Sequence, residues 1–166
     1  MSGPDPEKTF MEKAGAALPG IPGYREPAAR RETDSRLRGY LASRLDELSG
    51  KFGEIRAVAE EEGDMDMVDD LDRITERIGR TAEALRSADY AGCAFFGDAA
   101  ADERQLGRVC SYDTAMLEDL ELLAADILSL KYEAIGTLTL REAEGTVASI
   151  ELRIANRRDI FEMSAG

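Results

Sequence analysis

The sequence predicts an all-α fold: an antiparallel four-helix bundle, up-down-up-down, with a long first helix and an N-terminal arm. Three observations predict it. Apolar residues recur at spacings of four and three along four long stretches, the pattern of helices packed along a seam. Aromatics are only 6% of the 166 residues and Trp is absent, which leaves the core to Leu, Ile, Val, Met and Ala, a composition that favours helix. The only strand-like run, Ile135, Leu138 and Leu140 with interleaved threonines, has no second strand to pair with. A chain of this length makes one domain with a real core.

Residues 1–23 read as an arm. Pro4, Pro6, Pro19 and Pro22 with Gly3, Gly15, Gly20 and Gly23 punctuate one short helical stretch from Phe10 to Leu18. Its apolar residues, Phe10, Met11, Ala14, Ala17 and Leu18, are expected to dock on the bundle. Membrane association through the arm is the weaker alternative, because a surface-binding helix carries a basic face and this one does not.

The domain proper spans 24–163. Its first helix, about 27–62, starts at Pro27, which suits a first turn, and runs ~54 Å. The seam reads Leu41, Leu45, Leu48, Phe52, Ile55 and Ala59, and extrapolates backward into Arg38, Asp34 and Arg31. Gly63 stops this helix and Asp64 caps the next, about 64–88, with Val68, Leu71, Thr75, Ile78, Ala82 and Leu85 on its seam. The segment 89–101 lacks a helical face and is expected to be a connecting loop, with a Cys-Ala-Phe-Phe cluster, whose aromatics plug the bundle end. A third helix, about 102–136, carries Leu106, Cys110, Asp113, Leu117, Leu120, Ala124 and Ile127. The fourth, about 140–162 and capped by Thr137 or Thr139, carries Ala143, Val147, Ile150, Ile154, Arg157 and Phe161. The first helix outlasts the ~36 Å second one, leaving Leu37 and Tyr40 for a second copy, so self-association is expected.

Composition excludes much chemistry. The chain has no histidine, which removes a Ser-His-Asp triad, a Cys-His pair, any His-ligated metal and the Glu-x-x-His sites of di-metal bundles. A net charge of -13 opposes nucleic-acid binding, which needs a cationic footprint. Cys93 and Cys110 form no CxxC pair, and the start MSGPDPEKTF has neither a basic nor an apolar leader region, so reduced thiols and a cytoplasmic location are expected. Ser111 sits in no nucleophile elbow, and neither a phosphate loop nor a dinucleotide fingerprint occurs. No catalytic residue, metal or cofactor is assigned.

Two groups of residues stand out. Glu60, Glu61, Glu62, Asp64, Asp66, Asp69, Asp70 and Asp72 follow one another with no basic residue between them. They are not a calcium loop: Val68 occupies the fifth ligand position, Asp69 the required glycine and Thr75 the bidentate acid. They form a solvated acidic corner able to dock a basic protein. The second group is the charged extension of the seams. With up-down-up-down topology, Arg31, Asp34, Arg38, Asp113 and Arg157 face inward at one end, with Tyr90 and Tyr112 as hydroxyl donors. Such a cluster is either a lock that fixes helix register or a pocket where guanidinium forks grip a small anion. The functional expectation is a non-catalytic protein acting through protein–protein interaction and self-association. The alternative is a small-anion binder or unfamiliar enzyme using the Arg/Asp cluster.

Overall fold

A computed structural model describes residues 3–97, 102–132 and 137–162. It contains five helices packed against one another, with no strand among the described residues. Helix α1 (Pro6–Ala17) starts at Asp5, whose carboxylate accepts from the Glu7 N–H at 3.1 Å, and has proline in its first turn. A 3-10 turn at Pro27–Ala29 leads into the 32-residue helix α2 (Arg30–Glu61). Gly63 ends that helix with φ 76°. The Gly63 and Asp64 N–H groups donate to Glu60 and Ala59 carbonyls at 3.1 and 2.9 Å, a Schellman closure that only a left-handed residue permits.

Asp64 then caps α3 (Met65–Ser87) by accepting from the Met67 N–H. A 3-10 turn at Ala94–Phe96 precedes α4 (Glu103–Tyr132), whose first turn is held by Asp102 accepting from the Gln105 N–H at 2.7 Å. The expected last turn of that helix, 133–136, and the loop residues 98–101 lie outside the described residues. Helix α5 (Thr137–Phe161) begins three residues before the expected 140, so Thr139 is helical rather than a cap. Leu140 is buried, and the helical turn that carries it into the core includes Thr139.

Helix α2 packs on α3 and α4 on α5, while α2 against α4 and α3 against α5 join the two pairs. Each pair runs antiparallel: Arg38 reaches Leu85 while Arg56 reaches Asp72, and Asp119 meets Arg153 while Gln105 meets Ile160. The core is the predicted aliphatic one, with Leu41, Leu45, Leu48, Phe52, Leu71, Ile78, Val147 and Ile150 buried. No helix among the described residues is long and apolar enough to cross a membrane.

The N-terminal segment is more than an arm. Helix α1 packs along α4, and Phe10 and Ala14 are fully buried in the common core. The chain then turns at Gly23 (φ 87°), where a Cβ would meet the Met11 sulfur at 2.7 Å. Thr33 donates to the Gly23 carbonyl at 2.7 Å, and Arg36 donates to the carbonyls of Pro19 and Gly20, so residues 19–23 run along the start of α2. Leu37 is fully buried, and Tyr40 is partly buried beside Lys13 and Ala17. The extra length of α2 is therefore covered by its own chain, and the uncovered surface expected for a second copy at Leu37 and Tyr40 is absent. Phe10→Ala should cost about 3–5 kcal/mol of unfolding free energy in urea titration, the usual range for emptying a core aromatic site. A loss below about 1 kcal/mol would make α1 a peripheral attachment.

Candidate functional site

Arg157, on the seam of α5, is 1% exposed. Its Nε and Nη2 donate to the two carboxylate oxygens of Asp113 on α4 at 3.0 and 2.9 Å, a bidentate fork. Its Nη1 donates to Asp34 on α2. Nη2 also donates to the Tyr24 hydroxyl at 3.0 Å, and that hydroxyl donates in turn to Asp113 Oδ2 at 2.5 Å. The guanidinium lies over the Phe161 and Tyr90 rings, 4.7 and 5.3 Å from their centroids. One cation thus ties three helices and the α1–α2 connection.

Arg38, one turn along α2, completes the charge balance. Its Nε donates to Asp34 Oδ2 at 3.1 Å and its Nη1 to the Leu85 carbonyl at 2.7 Å, near the C-terminal end of α3. Two arginines and two aspartates cancel in a region closed to water on the Asp113 side. Burial opposes the charge of Arg157, yet Asp113, Tyr24 and Asp34 outweigh it and hold the guanidinium pKa well above its ordinary value. Burial, followed by the Asp113 charge, pushes the Tyr24 phenol well above 10.0.

Asp34, Arg38, Asp113 and Arg157 meet, with Tyr90 beside them as an aromatic wall. Its ring underlies Arg157 and Arg38, rather than its hydroxyl joining as a donor. Two expected members do not join. Arg31 is exposed and donates weakly to the Phe96 carbonyl at 3.4 Å. A 3.6-residue helix drifts against a strict heptad extrapolation, and the buried stripe runs Arg30, Asp34, Leu37, Leu41. Tyr112 is only partly buried and lines a separate surface hollow with Leu152 and Arg153, since adjacent helical residues point about 100° apart.

Sequence reasoning missed Tyr24 and Arg30. Arg30 is 2% exposed and donates to the carbonyls of Tyr24, Phe95 and Arg25, with its guanidinium 4.6 Å from the Phe95 centroid. Phe95, Phe96, Tyr90 and Phe161 stack together over this end. The signal for Tyr24 was a lone aromatic between Gly23 and Pro27, where a turn needs no aromatic.

Where the network reaches the surface, a cavity of about 200 Å³ opens between the start of α2 and the 88–96 connection. Arg31, Asp34, Arg38, Asp89, Tyr90 and Phe96 line it. The acidic corner lies elsewhere, around the α2–α3 turn. Glu60, Glu61, Glu62, Asp64, Asp66, Asp69 and Asp72 are exposed and Asp70 is half-buried. Glu60 and Asp72 pair with Arg56, and Asp70 pairs with Arg73. Among the described residues, no three His, Cys, Asp or Glu side chains are placed to hold a metal ion.

Removing Arg157 leaves Asp34 and Asp113 buried without their main partner. Arg157→Met should therefore lower stability by about 3–5 kcal/mol, whereas replacing Asp34, Asp113 and Arg157 together by apolar residues should restore most of it. Equal losses for the single and triple variants in urea unfolding would refute the ion-pair account. Tyr24 also sets an alkaline limit. Below pH 10 both folded and unfolded chains keep the phenol protonated; above it only the unfolded chain ionises, so stability falls by about 1.4 kcal/mol per pH unit from this group. Cys110, pushed by burial to about 12, acts in the same direction. Tyr24→Phe should accordingly show a shallower decline between about pH 10 and 11, and an unchanged slope would sink the assignment.

No protein-family model, no curated protein and no solved structure matches this chain, so the use of the site rests on its own chemistry.

Proposed function

We propose that the protein is non-catalytic and acts by binding, at the end where the buried ion-pair network meets solvent. The observation that carries this reading is the cavity of about 200 Å³ beside Asp34 and Arg38, a concave place with polar groups converging on it. Against catalysis stand the groups that could attack or transfer protons. The Cys110 thiol is pushed up to about 12 and that of Cys93 is raised, both chiefly by burial, so neither is a ready nucleophile. Tyr24, Asp34 and Asp113 are committed to Arg157. In this reading α2 to α5 work as an antiparallel four-helix bundle, α1 is a fifth helix laid on it, and the ion-pair lock keeps the cavity walls in register. A cytoplasmic setting suits the two free thiols.

A second reading is a protein partner at the acidic corner. It is favoured by Val58 and Met65, which are 53% and 54% exposed beside the α2–α3 turn, among acids of which Glu61, Glu62, Asp66 and Asp69 are also exposed. A basic, partly apolar surface would complement them, whereas a second copy would bring a second acidic tip. One titration followed by amide and arginine Nε NMR signals separates the readings. A panel of small polar compounds should perturb Arg31, Arg38, Tyr90 and Phe96 and raise the melting temperature by mass action. Perturbation confined to residues 58–72 by a basic amphipathic peptide would favour the second, and silence at both places would remove both.

A further inference from the structure

We propose that the cavity at the start of α2 is an oxyanion site, in which Arg31 and Arg38 together grip one carboxylate- or phosphate-sized group between the Tyr90 and Phe96 rings. The inference rests on the binding reading above and names its ligand class. Two guanidinium groups one helical heptad apart line the same small space. Each is held against an aromatic wall, Arg31 at 5.6 Å from the Phe96 centroid and Arg38 at 5.7 Å from that of Tyr90, so neither loses its full rotamer freedom when a ligand arrives.

The two arginine forks carry the choice of an anionic ligand. Arg38 commits Nε and Nη1 to Asp34 and Leu85, leaving its Nη2 group. Among the described residues Arg31 commits only Nη2, in a 3.4 Å bond. Of the two lining acids, Asp34 is engaged on both oxygens, by Arg157 and Arg38, and Asp89 spends Oδ1 on the Ala91 N–H at 2.9 Å. On the two arginines the unspent capacity is donor capacity, offered in the planar fork that matches carboxylate and phosphate oxygens. The volume of about 200 Å³ suits a single small oxyanion.

The test is a titration of the full chain with inorganic phosphate and, separately, with succinate, each against sodium chloride at matched ionic strength. Saturable shifts at Arg31, Arg38 and Tyr90 are expected at about millimolar concentration for one or both anions, and the arm that saturates identifies phosphate or carboxylate as the natural chemistry. Arg31→Gln should weaken that binding roughly tenfold or more. Because Arg31 is exposed, its melting temperature should match that of the parent, so lost binding is separated from lost folding. Neither anion exceeding chloride, or Arg31→Gln binding as tightly as the parent, overturns the oxyanion assignment. Neutral polar compounds still binding at the cavity would leave the broader reading standing, while an inert cavity would end both.

Discussion

Arg157 is the group on which the arrangement of this protein turns. A guanidinium taken wholly out of water is tolerable only when opposite charge and hydrogen-bond acceptors surround it in the right geometry. Asp113 supplies a bidentate fork, Asp34 a further acceptor and Tyr24 a hydroxyl, while Phe161 and Tyr90 supply ring faces. These partners come from α2, α4, the connection before α2 and the connection after α3. A slip of α2, α4 or α5 by one turn, about 5.4 Å, would strand a buried charge, whereas a slip along an all-aliphatic seam would exchange one leucine contact for another. We propose that the network contributes less to net stability than to choosing one register, the role best attested for polar groups in helical cores.

The same requirement explains why the N-terminal segment is part of the core. Tyr24 reaches Asp113 only if the chain between α1 and α2 is held against the helices. Gly23 makes the turn, Thr33 holds its carbonyl, and Arg30 holds the carbonyls of Tyr24 and Arg25. Phe10 stacks on Tyr24 with centroids 5.3 Å apart, and Tyr24 leans on Phe95 at 5.7 Å. Helix α1, the connection and the 3-10 turn at Ala94–Phe96 therefore form a single aromatic and cationic cover over the polar end. The aliphatic seam handles the rest of the molecule, and it needs no such devices.

What was legible in the sequence divides along that line. Periodicity reports which residues face a neighbouring helix, so the seams of α2, α3, α4 and α5 and the stop at Gly63 could be read directly. Asp34, Arg38, Asp113 and Arg157 could be brought together because the seams continued through them. Periodicity carries no information about what covers a helix end from outside the pattern. Tyr24 and Arg30 act through backbone carbonyls and a turn, contacts set by tertiary placement, and their spacing marks nothing. Arg31 was misplaced for a related reason: the stripe at the start of α2 is decided by the 19–25 connection and the Phe95 carbonyl, which select Arg30, and not by the heptad inherited from Leu41 and Leu45.

Asp34 links the closed part of the network to the open part. One of its oxygens faces Arg157 in the interior and the other faces Arg38 at the cavity. Any occupant that drew Arg38 away from Asp34 would leave a nearly buried carboxylate with one partner fewer, and that costs more than a surface ion pair returns. An oxyanion bound there as proposed would therefore be confined to the donors Arg38 does not already use, with Arg38 keeping its orientation and Arg31, exposed at the rim, supplying the second fork. In that proposal the two forks would favour small planar or tetrahedral oxyanions over larger charged groups, whose bulk would have to displace the Asp34 bond. On the proposed reading the ion-pair network and the cavity would be one device, because Asp34 ties Arg38 at the cavity to Arg157 in the interior.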